Sequence, residues 1–352
     1  MSHTNKKCPD CQSNFFESNF FDWDRRDFLK ATGVGAAAAV AGFTPHVSHG
    51  DETGGPETVV KALYKSLSDK QKSEVCFDWD FQDSKRGLLR TRISNNWHIT
   101  KPTINSDFFT GDQRQMIRLM FEGIIQPVWP PRIDRQLKDD AGGFGKSQNI
   151  AIFGKPGDGK FEFVMTGRHM TLRCDGNTTE NVAFGGPLFY GHAASGFNEK
   201  PGHPGNVFWE QALAANKVYE MLDGKQRQQA EVAKTPREES VGFQGQDGKF
   251  PGLAVADMSS DQRELVQSVL HKLIEPYRKS DQDEVVSCLK YQGGGVLDNC
   301  SLAFYTDQDL GEDKVWDNWR LEGPSFVWYF RGVPHVHVWV NVASDPTIKL
   351  NA

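Results

Sequence analysis

Apolar residues recur at helical spacing in two stretches, "TGDQRQMIRLMFEGIIQPV" (110–128) and "SSDQRELVQSVLHKLIEPY" (259–277), each led by a hydroxyl residue and an Asp-Gln-Arg. A hydroxyl that accepts from the N–H three residues on, with a Gln reaching back, makes a capping box, so both stretches predict capped amphipathic helices. Upstream of each lies a shorter matched segment, "LSDKQKSEV" (67–75) and "LDGKQRQQA" (222–230). Downstream the pattern turns to strands, because "FEFVMTGRHMTLRCDG" (161–176) and "WDNWRLEGPSFVWYFRG" (316–332) each read as a hairpin of aromatic and β-branched residues about a glycine turn.

Matched segments in one order at nearly constant spacing predict an internal duplication. Each copy reads helix, loop, helix and strands, so the expected class is α+β, with two copies of a helix pair plus antiparallel strands about a pseudo-two-fold axis. The expected boundaries are a leader at 1–50, a first repeat at 56–196, a linker at 197–217 and a second repeat at 218–345, both repeats in one globule. The polar stretch 82–103 is an excursion inside the first copy.

Between two predicted strands, Gly154, Gly159 and Lys160 match the start of a phosphate-binding loop. The pattern then needs Ser or Thr for Mg²⁺ and a helix whose N–H groups face the phosphates; Phe161 and a strand follow instead. The stretch predicts a Pro-Gly-Asp-Gly hairpin turn.

Composition narrows the field further. With 352 residues, 38% of them hydrophobic, the chain can bury a core of about two domain-sized units. A net charge of −6 without a Lys/Arg block excludes a nucleic-acid surface. No apolar run beyond the leader is long enough to span a membrane.

The leader, "DRRDFLKATGVGAAAAVAGFTP", sets Arg25 and Arg26 before a short Ala/Gly-rich apolar run and resembles a twin-arginine export signal. The resemblance implies that the twin-arginine machinery carries the chain across already folded, to the periplasm or beyond, with cleavage near residues 45–50 or retention by an uncleaved anchor. Folded export suits proteins that acquire a cofactor first. Cys8-x-x-Cys11 precedes the leader and is a weak zinc pattern without a second pair. Cys76, Cys174, Cys288 and Cys300 allow one or two disulfides in an oxidising compartment, Cys288–Cys300 first because they are nearest in sequence, with four buried free thiols as the alternative.

Six motifs in order, "NWHITKP" (96–102), "TGDQRQMIRLMFEGII", "GRHMTLRCDG" (167–176), "GKFPGLAVADMSSDQRELV" (248–266), "WRLEGPSFVWYF" (319–330) and "HVHVW" (335–339), give the chain its family likeness. It resembles the domain-of-unknown-function family 3500 over residues 56–345. The resemblance implies a shared fold and export, and no established reaction. Members tend to carry an acidic residue in the strand after "EGPS" and an Arg-Asp after the last His-x-His and Trp. Trp328 and Val340-Asn341 stand there in this chain, so no role carries over to those positions.

Three of the ten histidines, His3, His46 and His49, fall in the leader. In "VPHVHVWV", strand alternation puts His335 and His337 on one face, about 7 Å apart at Cα, where both can reach one ion. His169 lies on the strand that matches "GPSFVWYF" in the other copy, which a pseudo-two-fold packing brings close. His98 and His192 are the candidates for a further ligand, with Glu322 or Asp175 as carboxylates to fix the ring tautomers. His271 and His203 read as surface residues.

The expected function is therefore an exported protein holding a divalent transition metal, zinc, copper or iron, through His169, His335 and His337 plus His98 or His192, with hydrolase or oxidoreductase chemistry as the options. The alternative is a metal-free module whose aromatic residues, 9 Trp and 24 Phe among them, line a groove for a small molecule, glycan, lipid or protein partner.

Overall fold

The computed structural model describes residues 55–176, 179–193, 207–292, 295–309, 314–348 and 350. Arg25, Arg26, Cys8, Cys11, His203 and the expected cleavage region lie outside the described residues.

The chain opens with α1 (Pro56–Ser66), α2 (Asp69–Val75) and β1 (Cys76–Phe77), and the polar excursion adds β2 (Gln82–Asp83) and β3 (Gly87–Leu88). Then come α3 (Gly111–Ile124), α4 (Pro130–Ala141), β4 (Gln148–Gly154), β5 (Phe161–Gly167), β6 (Met170–Cys174) and β7 (Leu188–His192). The second half runs α5 (Trp209–Glu220), α6 (Gly224–Ala230), β8 (Glu231–Val232), β9 (Leu253–Ala254), α7 (Ser260–Ile274) and α8 (Lys279–Tyr291). It ends with β10 (Ser301–Tyr305), β11 (Asn318–Gly323), β12 (Phe326–Arg331) and β13 (Val336–Val342). Residues 209–217, expected within the linker, form the first turns of α5.

One large mixed sheet has the order β1-β4-β5-β6-β7-β13-β12-β11-β10-β8, with β9 on β10, so the class is α+β. β1 on β4 and β8 on β10 are parallel; the other neighbours are antiparallel. The central contact is β7 on β13, which sets Leu188 opposite Val340 and His192 opposite Val336.

Alternation along the strands gives the sheet two apolar faces. Val336, Val338, Val340 and Val342 join Phe163, Met165, Trp319 and Trp328 in the core beneath the helices. Their neighbours in sequence face the other way: Trp339, Phe189, Tyr329 and Tyr305 form a second cluster that Ile93 and Val241 cover from loops, while Leu89, Trp97 and Ile99 cover Ala151, Phe153 and Val164. The excursion 82–103 is thus the lid of one half of this face.

The predicted capping boxes form at Thr110/Gln113 and Ser259/Gln262, and the shorter matched segments carry two more at Ser68/Gln71 and Asp223/Gln226. Each capping Gln spends its oxygen on its own helix, which leaves its amide free to reach a neighbour. Gln71 Nε2 donates to Gln113 Oε1 at 2.7 Å, and Gln226 Nε2 to Gln262 Oε1 at 3.0 Å. These amide pairs tie α2 to α3 and α6 to α7.

Gly154 and Phe161 pair across the β4–β5 hairpin, and Lys155 N–H donates to the Lys160 carbonyl, so the glycine-rich stretch is a turn. The expected Cys288–Cys300 disulfide is absent; Cys76, Cys174, Cys288 and Cys300 are free thiols. Cys288 sits on α8 and Cys300 at the foot of β10, both in the apolar core, where burial pushes the Cys288 thiol up to about 12 and raises that of Cys300.

Candidate metal centre

The hairpin between β5 and β6 turns in two residues, Arg168 and His169, and such a turn puts residues at positive φ. His169 takes φ 50, which lifts its ring off the sheet end instead of along a strand, as the sequence pattern had suggested. Its ring lies over Gly191 of β7, where a Cβ would meet His169 Cδ2 at 3.0 Å and the Val336 carbonyl oxygen at 2.2 Å. From the other half, His335 precedes β13 and His337 is its second residue, opposite Gly191. The three rings meet there.

His169 Nε2 is 3.1 Å from His337 Nε2, and His335 Nε2 is 2.8 Å from the same atom. One ligand atom from each ring lies within 4.8 Å of the others, and all three residues are buried. The two measured spacings are well inside the roughly 4.2 Å that two ligands of one ion at about 2.1 Å can span. The cluster could hold a metal ion. His98 is exposed and stands outside this cluster; His192 is buried at the end of β7, beside Val336, and is not one of the three converging rings.

The opposite edges of two rings are fixed by carboxylates. Asp140, in the last turn of α4, accepts from His169 Nδ1, and Glu238, in the loop after β8, accepts from His337 Nδ1 at 3.1 Å. Each carboxylate also takes an arginine: Arg168 Nε donates to Asp140 Oδ1 at 2.8 Å, and Arg331 Nη1 donates to Glu238. The carboxylates expected from sequence are employed elsewhere, Glu322 on Arg320 and Gln244, and Asp175 on the Thr179 N–H. Nearness along the chain misled because the sheet order brings 140 and 238, not 175 and 322, to this end of β7 and β13.

Burial sets the charge states. It holds the His335 imidazole at about 3, with the neighbouring His337 and His169 rings adding to the effect, and it lowers His169 against the pull of Asp140. Burial would raise Asp140 and Glu238, but their imidazole and arginine partners hold both below the ordinary carboxylate value. A carboxylate can only accept, so Nδ1 of His169 and of His337 carries a proton, and Nε2 is the atom each ring turns toward the cluster.

The loop that carries "NWHITKP" serves the site through the residues before its histidine. Asn96 Oδ1 accepts from the His169 N–H at 2.8 Å, Asn95 Nδ2 reaches Glu238 Oε2 at 3.4 Å, and Trp97 Nε1 anchors the loop on Thr171. Phe189 closes the site from β7, its ring 5.3 Å from that of His337.

No curated protein and no solved structure matches this chain. A twin-arginine translocation pathway signal sequence matches residues 24–42, so the chain is exported across the membrane, and no helix among the described residues is long and apolar enough to cross one. The model of a protein family of unknown function, DUF3500, matches residues 51–338. The match runs through all eight α-helices of the described residues and every strand from β1 to the histidines of β13, and the chain belongs to the DUF3500 family.

Proposed function

We propose that this protein is an exported metalloprotein in which His169, His335 and His337 hold one divalent transition metal and leave a position open for water or substrate. The observation that carries the reading is the convergence of three buried rings: His337 Nε2 lies 3.1 Å from His169 Nε2 and 2.8 Å from His335 Nε2, with a carboxylate on the Nδ1 of His169 and of His337. One ion among these nitrogens satisfies all three at once.

Three imidazoles without a thiolate suit zinc, copper or iron. Such an ion, when bound, supplies Lewis acidity to a carbonyl or phosphoryl oxygen, or an ionised water near neutral pH. Asp140 and Glu238 orient the rings and raise their basicity, and Arg168 and Arg331 cancel the carboxylate charge. The ion's double charge is then left to the open position, which favours hydroxide or an anionic group there. Zinc selects hydrolysis from the two options, and copper or iron selects oxidation.

Elemental analysis of protein matured through its own export route is the test. About one equivalent of metal is expected, and His335→Ala with His337→Ala should abolish it while leaving the circular-dichroism spectrum in place. Metal-free wild-type protein, or full retention of metal by the double variant, would overturn the proposal.

We also propose that residues 56–196 and 209–345 descend from one duplicated unit. What supports this is the order of elements: each half runs helix pair, parallel edge strand, second helix pair and an antiparallel run, β4-β5-β6-β7 or β10-β11-β12-β13. The two cap-to-cap glutamine pairs, and the glycines Gly167 and Gly323 that each close a strand before a two-residue turn, recur in the same places. Only one half carries the histidine of the β-hairpin turn; Ser325 stands at the matching position of the other.

A further inference from the structure

All three rings of the cluster are covered: His169 is 1% exposed, His337 6% and His335 8%. An ion, or a ligand bound for its open position, reaches them when a covering element moves. The sheet beneath is a poor candidate, since β7 and β13 pair with each other at its middle. The end of α4 is another, because Asp140 takes Arg168 Nε at 2.8 Å and Gln136 Nε2 at 3.2 Å besides the His169 ring. Two loops meet beside the rings: residues 93–97 at the end of the excursion, and the loop after β8 that carries Glu238 and Glu239.

Residues 94–96 arch between two apolar anchors. Ile93 packs in the cluster of Phe189 and Trp339, and Trp97 in that of Ala151 and Val164. Beyond the arch the ties are buried: Trp97 Nε1 donates to Thr171 Oγ1 and the Ile99 N–H to Thr166 Oγ1, both at 2.9 Å. The ties of the arch to the other loop are exposed and made by side chains alone. Ser94 Oγ donates to Glu239 Oε1 at 2.9 Å, and Asn95 Nδ2 to Glu238 Oε2 at 3.4 Å. Water replaces an exposed hydrogen bond at little cost, whereas unmaking a buried one strands a donor. Asn96 Oδ1 accepts from the His169 N–H, and both residues sit at positive φ, 44 and 50, a conformation that side chains hold only where neighbours fix it. Lifting the arch therefore loosens His169 on one side and Glu238, the partner of His337, on the other.

We propose that residues 94–96 are a gate over the metal centre, which parts from Glu238 and Glu239 to let an ion or ligand pass and closes on the same carboxylates afterwards. What passes rests on the metal reading; the movement rests on the contacts alone.

Ser94→Ala, which touches none of the histidines or their carboxylates, tests the gate by two measurements. In metal-free protein, hydrogen exchange at the His169 amide should quicken about three- to tenfold, the worth of one exposed hydrogen bond, while the amides of β7 and β13 keep their rates. In the exported protein loaded with zinc, transfer to a chromophoric chelator should reach a plateau as chelator rises, because opening sets the rate. Ser94→Ala should raise that plateau by the same factor and speed uptake equally, leaving affinity unchanged. Release in direct proportion to chelator, a plateau unmoved by the substitution, or His169 exchange that changes only together with β7 and β13 would each overturn the gate while the metal stays bound. Failure of both proteins to take up zinc, copper or iron would instead overturn the metal centre, and the gate's purpose with it.

Discussion

Asp140 and Glu238 accept from the far nitrogens of His169 and His337, and so decide which nitrogen of each ring is free to bind. Asp140→Asn or Glu238→Gln should each lower metal affinity by about 10–100-fold without unfolding the protein, as competition with a chromophoric chelator would show. An unchanged affinity would mean the rings are held by packing alone. Gly191→Ala puts a methyl 2.2 Å from the Val336 carbonyl oxygen and 3.0 Å from the His169 ring. It should cost about 1–3 kcal/mol in chemical denaturation and lower metal content, since relief means moving β13 or the ring. The pair His335/His337 was legible because strand alternation is a local rule, and His169 was picked out by the likeness of residues 161–176 to residues 316–332. The carboxylates were not. Asp140 reaches His169 across 29 positions and Glu238 reaches His337 across 99, from a helix end and an irregular loop that carry no periodic signal. His98 drew attention as a ligand type, yet Asn95 and Asn96 beside it make the contacts.

At the scale of elements, the capping boxes were readable from Thr110/Gln113 and Ser259/Gln262, but their coupling was not, since it depends on how neighbouring helix starts are set against each other. Gln113→Ala removes a cap partner and one of the two acceptors of the Gln71 amide, the Phe108 carbonyl being the other, so a loss of about 1–2 kcal/mol is expected. In a double-mutant cycle, Gln71→Ala should add little to it; additive losses would show that the amide pair is not coupled. On α8, burial and the charge of Asp175 push the Glu284 carboxyl up to about 8 from 4.5, although its oxygen accepts from the Phe184 N–H. A carboxyl raised in the folded state binds more protons there than when unfolded, so its contribution is full below about 4.5 and is lost as pH rises through 8. Glu284→Gln should therefore stabilise the protein more at pH 9 than at pH 5 in urea unfolding. Equal effects at both would place the carboxylate in a solvated setting.

For the whole molecule, the α+β class and the order of elements followed from the period changes along the chain. The one large sheet did not, because pairing between strands far apart in sequence leaves no trace in either one. The central register, Leu188 against Val340, is a case of this. Export is the property with the plainest test: Arg25→Lys with Arg26→Lys should hold the protein in the cytoplasm on fractionation, and normal amounts outside would mean another route. That same central register sets the timing of export. β13 begins at Val336, long after β7 ends at His192, and is the neighbour that β7 needs, so the sheet cannot close before β13 has left the ribosome. A route that carries folded protein has no closed sheet to accept until that strand has emerged, so the protein crosses the membrane only after a folding interval set by its slowest long-range strand pairing.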